Sequence, residues 1–174
     1  MSIGTVGILS PGDMGHSIGN VLHDSGLRVI TCLDGRSERS RELAGKAGFE
    51  DVASLDDLVQ QADVVMCVLV PARAAEVAGK VAAAMERTGA TPLYVDGNAI
   101  SPNTVRGIAE TISAAGATVA DVGIIGPPPR KPGTRFYASG PGAEAFSALR
   151  DNGLDVRIVG PDIGQASGLK MCYG

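Results

Sequence analysis

Short aliphatic runs alternate with amphipathic segments from the start of the chain to about residue 122. The runs predict strands over residues 3–9, 28–33, 64–69, 93–96 and 117–122. Between them, apolar residues recur three and four positions apart, which predicts helices over residues 14–25, 38–47, 55–61, 72–87 and 103–115. Strands that alternate with helices form a parallel sheet, so the pattern predicts an α/β fold.

The composition of these segments supports helices on both faces of the sheet. Residues 64–69 read Val-Val-Met-Cys-Val-Leu, and a strand without polar positions is typical of a sheet that is covered on both sides. Three serines stand at predicted helix N-caps: Ser37, Ser54 and Ser101. Four glycines follow predicted helix ends: Gly26, Gly48, Gly89 and Gly116.

The pattern changes after residue 126. A proline-rich loop is followed by a strand over 134–138, a short helix over 143–150 and a strand over 154–159. Residues 163–174 then predict a helix whose apolar face continues to the last residue, which is typical of a helix that packs against further residues or a partner.

The first predicted strand leads directly into a glycine-containing turn. Ser10-Pro11-Gly12-Asp13-Met14-Gly15 resembles the G-x-G-x-x-G turn that binds the pyrophosphate of a dinucleotide at a helix N-terminus. Ser10 stands in place of the first glycine, and a tight strand-to-helix turn alone would also explain the spacing. The turn therefore indicates a dinucleotide site, to which we assign Ser10, Pro11, Gly12, Asp13 and Met14.

Composition and charge narrow the classes of function. The chain has a net charge of −4 and no basic run, so we expect no nucleic-acid partner. No apolar run approaches the ~20 residues of a membrane span, and we expect no membrane association. Three cysteines without metal spacing indicate a reduced, cytoplasmic protein that binds no metal. The histidines, His16 and His23, are interpreted as polar residues on a helix surface.

Four segments, taken in order, resemble the N-terminal cofactor domain of the β-hydroxyacid dehydrogenase and 6-phosphogluconate dehydrogenase-like superfamily. The family patterns are G-x-I-G-x-G-x-M-G, D-x-S-T-x-x-P, D-A-P-V-S-G-G and G-x-x-x-x-x-K. The matching segments are residues 7–15, 96–102, 121–127 and 164–170.

The resemblance implies a fold and a domain organisation. We expect a Rossmann-like, doubly wound, mainly parallel sheet with helices on both faces over residues 1–162. Residues 163–174 would start a long interdomain helix leading to a C-terminal helical domain that is not present in this chain.

The resemblance also implies catalytic and substrate-binding residues. Lys170 would take part in acid/base proton transfer beside the substrate, and Asn98 would face the nicotinamide, although Asn98 is equally suited to shaping the turn after its strand. Gly123 and Gly126 would admit the substrate, or would serve turn geometry alone. Ile125 and Gly174 stand where the family commonly has a serine and an asparagine, so we expect a different substrate recognition.

Cofactor preference depends on the end of the second strand. Asp34 is suited to a ribose 2'-hydroxyl and so to NAD, whereas Arg36 followed by Ser37 is suited to a 2'-phosphate. In the resembling family an arginine followed by serine or threonine marks NADP, which we therefore expect. The segment Leu69-Val70-Pro71 would contact the cofactor through its backbone.

These expectations combine into an NADP-dependent oxidoreductase of the hydroxyacid or polyol-acid dehydrogenase type. The substrate would be a small, anionic molecule, and a homodimer would form through the missing C-terminal domain. An imine reductase or reductive aminase is the alternative, although those relatives usually replace the lysine that Lys170 matches. A non-catalytic nucleotide-binding module with a regulatory role is the third hypothesis.

Overall fold

The computed structural model describes residues 1–173 and contains one eight-stranded sheet with helices on both faces. The strands are β1 Thr5–Ile8, β2 Arg28–Thr31, β3 Glu50–Asp51, β4 Val64–Cys67, β5 Leu93–Asp96, β6 Val119–Ile125, β7 Arg135–Ser139 and β8 Val156–Gly160. The helices are α1 Asp13–Asp24, α2 Glu38–Lys46, α3 Leu55–Gln61, α4 Ala74–Thr88, α5 Pro102–Ala114, α6 Ala143–Ser147 and α7 Gln165–Met171. Short 3-10 turns cover Pro71–Arg73 and Ala148–Asn152.

The strand order is β3-β2-β1-β4-β5-β6-β7-β8. All neighbouring pairs are parallel except β6 and β7, which run antiparallel. The first six strands have the doubly wound order of a Rossmann-like fold, and the predicted fold class is confirmed. Because the chain winds outward from β1 to β3 and then returns to β4, the order reverses between β1 and β4.

The core lies in two layers, one on each face of the sheet. One layer contains Ala78 of α4 and Ile112 of α5, packed on Val65 and Tyr94 of the sheet. The other contains Ile18 of α1 and Phe146 of α6, with further strand residues. Successive residues of the central strands point to opposite layers, which explains why those strands are apolar throughout.

The first five predicted helices agree with the structure to within two residues at each end. The helix predicted over 143–150 is instead α6 followed by a 3-10 turn, and the helix predicted over 163–174 is the shorter α7, which ends at Met171. Each of the three serines accepts a hydrogen bond from a backbone N–H in the first turn of its helix: Ser40 for Ser37, Asp57 for Ser54 and Thr104 for Ser101. The four glycines at helix ends have positive φ angles: 99° at Gly26, 77° at Gly48, 72° at Gly89 and 92° at Gly116. The left-handed conformation favours glycine at each of these positions.

Several strands differ from the sequence pattern; β6, for example, continues to Ile125 and not only to residue 122. β3 was not predicted, because it is two exposed residues, Glu50 and Asp51, with no apolar position. β4 ends at Cys67, because the N–H of Leu69 donates to the side chain of Asn98.

Within residues 1–173, no helix has the length and apolar character that a membrane span requires. Gly174 lies outside the described residues.

Candidate functional site

A cleft opens at the carboxyl ends of β1 and β4, where the strand order reverses. We call it the switch-point cleft, and its volume is about 340 Å³. Ligands of open α/β sheets bind at this position. The lining residues are Ser10, Gly12, Asp13, Met14, Gly15, Val68, Leu69, Val70 and Pro71. The structure therefore brings together the two segments that were predicted to contact a cofactor, except that Pro11 is buried and does not line the cleft.

The first turn of α1 faces this cleft without a side-chain cap. Gly12 is the N-cap residue, and no side chain bonds the backbone N–H groups that follow it. These unpaired donors and the positive end of the helix dipole favour an anion. A Cβ built on Gly12 would have no atom within 4 Å, so the space in front of the turn is open.

Gly15 serves the packing of α1 on the sheet. A Cβ at this position would lie 2.1 Å from the carbonyl oxygen of Ser10 and 3.4 Å from Ile8. Backbone atoms cannot move aside as the end of a flexible side chain can, so glycine is required here. The turn therefore uses one glycine for open space and one for close helix packing.

A second pocket of about 440 Å³ lies beside the end of β2, and we call it the basic pocket. Its charged lining residues are Asp34, Arg36, Arg73 and Lys80. Asp34 is exposed, and the three cations come from the turn after β2 and from the segment around the start of α4. The pocket thus carries more positive than negative charge.

Arg36 is held in place at the edge of the basic pocket. Its Nη2 donates to the carbonyl oxygen of Leu9 at 3.0 Å, while its Nε is buried without a hydrogen-bond partner. Burial, reinforced by the nearby charge of Arg73, lowers the pKa of Arg36. Ser37, the next residue, uses its hydroxyl to cap α2. The loop therefore presents a positioned cation with spare donor capacity.

Arg73 and Lys80 were missed by sequence reasoning. Arg73 follows Pro71 by two residues, and Lys80 lies two turns further along α4. Only the packing of α4 between α3 and α5 on one face of the sheet brings these cations near Arg36. The seven-residue spacing on one helix face was the one available signal.

Asn98 is buried, with 3% of its surface exposed, and its amide is used inside the protein. Its Oδ1 accepts from the N–H of Leu69 at 2.7 Å. Its Nδ2 donates to Oδ1 of Asp96 at 3.1 Å and to Sγ of Cys67 at 3.3 Å. The assignment of Asn98 to the reacting groups stays a prediction, because these contacts give the side chain a role in shaping the cleft wall.

Asp96 is a buried carboxylate at the end of β5, with 1% of its surface exposed. Burial raises its pKa to about 6, and the charge of Asp121 adds to this rise, although hydrogen bonds from Asn98 oppose it. Its Oδ2 has no hydrogen-bond partner among the described residues. Burial also raises the pKa of the neighbouring Cys67 thiol to about 11, so that thiol stays protonated at neutral pH.

Lys170 lies on α7 beside β6, and its Nζ donates to the carbonyl oxygen of Ile124. Asp121, which is fully buried, holds this helix. Its Oδ2 accepts from the N–H groups of Gly164 at 2.9 Å and Ser167 at 3.0 Å, and its Oδ1 accepts from the Ser167 hydroxyl. The same carboxylate therefore fixes the start of α7 and the height of Lys170 above the sheet.

Contacts within the chain explain both glycines that were assigned to substrate binding. A Cβ on Gly123 would lie 2.8 Å from the carbonyl oxygen of Ala166, so glycine lets α7 approach β6. Gly126 has a φ of 123°, and a Cβ there would lie 2.8 Å from the carbonyl oxygen of Gly133. Contact of either glycine with a substrate stays a prediction.

The proline-rich loop folds back onto α1 and corrects the interpretation of His16. His16 is 6% exposed rather than a surface residue, because Arg130 covers it. Arg130 donates from Nη2 to Nε2 of His16 at 2.5 Å, and its backbone N–H donates to the Ser17 hydroxyl at 3.3 Å. The Nδ1 of His16 therefore carries the proton and donates to the carbonyl oxygen of Gly12 at 2.7 Å.

Comparison with known proteins adds to this geometry. A sequence profile of the NAD-binding domain of 6-phosphogluconate dehydrogenase matches residues 2–151. An uncharacterized 28.5 kDa protein in the 7S RNA 5' region of Methanothermus fervidus is 31% identical over 166 residues, which cover 95% of this chain and 62% of that protein. A conserved protein of unknown function, described as structurally similar to 3-hydroxyacid dehydrogenases, is 32% identical with a TM-score of 0.87 over 97% of this chain and 62% of that one. The chain thus spans about three fifths of the length of these relatives.

Two solved structures with less than 25% identity share the fold. The 3-hydroxyisobutyrate dehydrogenase of Mycobacterium tuberculosis is 20% identical, with a TM-score of 0.82 over 99% of this chain and 59% of that one. An imine reductase of Myxococcus stipitatus in complex with NADP+ is 19% identical, with a TM-score of 0.80 over 97% of this chain and 59% of that one. The architecture is therefore shared by dehydrogenases and reductases.

Proposed function

We propose that this chain, which belongs to the family of NAD-binding domains of 6-phosphogluconate dehydrogenase, is the cofactor domain of an NADP(H)-dependent oxidoreductase. The reaction would be of the hydroxyacid or polyol-acid dehydrogenase type. The observation that carries the preference for NADP(H) is the basic pocket beside the switch-point cleft, which is lined by three cations, Arg36, Arg73 and Lys80, and by one carboxylate, Asp34. Small hydroxy acids or their carbonyl forms are the proposed substrates.

The residues of the switch-point cleft fit the pyrophosphate and nicotinamide halves of such a cofactor. The uncapped first turn of α1 would bind the pyrophosphate, and the open space at Gly12 leaves room for it. Val70 is 61% exposed at the opposite wall, where an apolar side chain would contact a planar ring. When bound, the nicotinamide accepts or donates the hydride.

The basic pocket fits a 2'-phosphate better than a bare ribose. Arg36 is positioned by its bond to Leu9 and retains donors for a phosphate. Arg73 and Lys80 share Glu76 as their only carboxylate partner among the described residues, at 3.6 Å and 2.7 Å. Two cations with one partner leave a positive charge that a phosphate dianion would neutralise.

Lys170 is the proposed proton donor and acceptor for the substrate hydroxyl. Its ammonium group can hold a proton at Nζ, and α7 fixes its position beside the carboxyl end of β6. We propose that the remaining substrate contacts, and the contacts of a homodimer, correspond to the part of the relatives that this chain does not span.

The first test is a paired titration of NADPH and NADH into the chain, followed by nicotinamide fluorescence. We expect NADPH to bind at least about tenfold more tightly than NADH, because a phosphate gains charge-assisted hydrogen bonds. Arg36→Ala should reduce that ratio, whereas Arg157→Ala, on the exposed β8 strand, should leave it unchanged. Binding of neither nucleotide would contradict the proposal, and an unchanged ratio in Arg36→Ala would contradict the role of Arg36.

Imine reduction is a second candidate, favoured by the fold shared with imine reductases. A protein of the relatives' full length that carries this domain would distinguish the two reactions. Oxidation of hydroxy acids with NADP+ supports the dehydrogenase, and reduction of cyclic imines with NADPH supports the alternative. Cofactor binding with neither activity would instead support a regulatory nucleotide-binding module.

A further inference from the structure

A chain of buried hydrogen bonds runs from β5 to the wall of the switch-point cleft. Oδ1 of Asp96 accepts from the backbone N–H of Asn98 at 3.0 Å and from its Nδ2 at 3.1 Å. Oδ1 of Asn98 then accepts from the backbone N–H of Leu69 at 2.7 Å. Leu69 lines the cleft together with Val70 and Pro71. Each link is direct, and among residues 1–173 the Leu69 N–H has no second acceptor.

We propose that Asp96 is a positioning residue for the cofactor, whose carboxylate orients Asn98 and thereby fixes the cleft wall at Leu69. The inference rests on the proposed function of the cleft. Asp96 fixes which end of the Asn98 amide faces Leu69: the carboxylate accepts hydrogen bonds only, so the NH2 group turns toward it and the oxygen turns toward Leu69. Without that acceptor the amide could rotate and present its NH2 group to the Leu69 N–H.

The surroundings of Asp96 make this arrangement sensitive to pH. Cys67 of β4 and Asp121 of β6 are its register partners on the two neighbouring strands, and Tyr94 precedes it on the same face of β5. The nearby positive charge of Arg36 opposes the rise in the pKa of the Cys67 thiol. Burial raises the pKa of Tyr94 far above its usual value, so it stays neutral, as does Cys67. Asp96, with a pKa of about 6, titrates between pH 5 and 8.

Protonation of Asp96 would weaken its hold on Asn98. A neutral carboxyl group accepts weaker hydrogen bonds than a carboxylate, and its new proton would lie on the unpartnered Oδ2 or compete with the Asn98 donors. The cleft wall is then less firmly held below pH 6, and cofactor affinity should fall.

The direct test is nuclear magnetic resonance of the nitrogen-15-labelled chain between pH 5 and 8, without ligand. We expect the signals of the Leu69 amide and the Asn98 side-chain NH2 to shift together with a midpoint near pH 6, and to stay constant in Asp96→Asn. A Leu69 signal that is constant with pH in the folded wild-type protein would overturn the proposal. That deciding outcome requires only the wild-type protein and no bound cofactor.

Cofactor affinity gives the second readout. At pH 8, Asp96→Ala should weaken NADPH binding by about tenfold, since two hydrogen bonds to a charged acceptor are lost, and Asp96→Asn should restore it to within about threefold. Ser139→Ala, which removes two buried hydrogen bonds away from the cleft, should leave affinity unchanged. The wild-type to Asp96→Asn affinity ratio should fall between pH 8 and pH 5, and this ratio cancels the titration of the NADPH phosphate itself.

The outcomes separate the two levels of inference. Folded Asp96→Ala that binds NADPH like the wild type overturns the positioning role, even if the cleft is a cofactor site. A wild-type chain that binds neither NADPH nor NADH contradicts the proposed function instead, and the Leu69 amide titration then decides alone whether Asp96 controls this wall.

Discussion

At the residue scale, the two arginines of the basic pocket have different structural duties. Arg36 bonds to the carbonyl oxygen of Leu9, so its loss would also disturb the end of β1. Arg73 is exposed, and its one ion-pair partner in the described part of the chain is Glu76, at 3.6 Å. Arg73→Ala is therefore the cleaner test of the pocket charge.

We expect Arg73→Ala to weaken NADPH binding by about tenfold and NADH binding by less than about twofold, because only NADPH carries the 2'-phosphate that this cation would bind. Paired fluorescence titrations measure both affinities. Arg157→Ala serves as the matched control, since Arg157 is an exposed arginine with one carboxylate partner, Asp155. An equal loss for both nucleotides would assign Arg73 to the part of the cofactor that they share.

The raised pKa of Asp96 predicts that the free energy of unfolding depends on pH. Its pKa of about 6 in the folded protein lies above the ordinary value of 3.8, so the folded state binds the proton more tightly than the unfolded state. The stability contributed by this group is complete below about pH 4 and is lost as pH rises through 6, by up to roughly 3 kcal/mol.

Urea unfolding of the wild type and Asp96→Asn between pH 4.5 and 7.5 measures that contribution. The free energy of unfolding of the wild type, relative to the variant, should fall as pH rises. Exposed carboxylates with lowered pKa values, such as Glu50 and Asp56, affect both proteins equally and cancel in the difference. A constant difference would mean that Asp96 has an ordinary pKa in the folded protein.

At the element scale, the junction of β1 and α1 separates stability from binding. Gly15→Ala places a methyl group against the Ser10 carbonyl oxygen, and α1 must move away from the sheet. Gly12→Ala places its methyl group in open space at the mouth of the cleft. The two variants make the same chemical change three residues apart.

We expect Gly15→Ala to lower the free energy of unfolding by about 1 to 3 kcal/mol, the usual cost of overpacking. Gly12→Ala should cost less than about 1 kcal/mol and should weaken NADPH binding by at least about tenfold, because the methyl group occupies the space left for the phosphates. Chemical denaturation and nicotinamide fluorescence give the two quantities. If Gly12→Ala binds NADPH normally, the pyrophosphate does not approach this turn.

At the scale of the whole molecule, the sequence predicted the fold better than the site. Apolar strands and capped helices are local patterns, so the order of elements followed from them directly. β3 escaped because it has no apolar residue, and its pairing with β2 depends on the neighbouring strand. The structure places two predicted segments in the walls of the cleft: Ser10 to Met14 was predicted from the glycine-containing turn, and Leu69 to Pro71 from the family resemblance.

The remaining site residues depend on distances that a sequence does not contain. Arg73 joins Arg36 only after α4 has packed on the sheet. The Asn98 amide bonds Leu69 and Asp96 inside the protein. These bonds depend on the distance between the carboxyl ends of β4 and β5, which a sequence motif does not specify. The burial of His16 likewise depends on a loop that lies 114 residues away.

At this scale the proposed cofactor site lies apart from Lys170, the proposed proton-transfer residue. The lining residues of the switch-point cleft and the basic pocket lie between Leu9 and Lys80, whereas Lys170 and its anchor Asp121 belong to the later strands and α7.

We therefore expect Lys170→Met to leave the NADPH affinity of this chain within about twofold of the wild type. In a protein of the relatives' full length, the same change should lower kcat by at least about a hundredfold, the usual contribution of general acid/base catalysis. Fluorescence titration and steady-state turnover measure the two effects, with Lys131→Met on the exposed loop as the control. If Lys170→Met keeps its turnover, another residue performs the proton transfer. If Lys170→Met loses NADPH affinity, α7 contacts the cofactor.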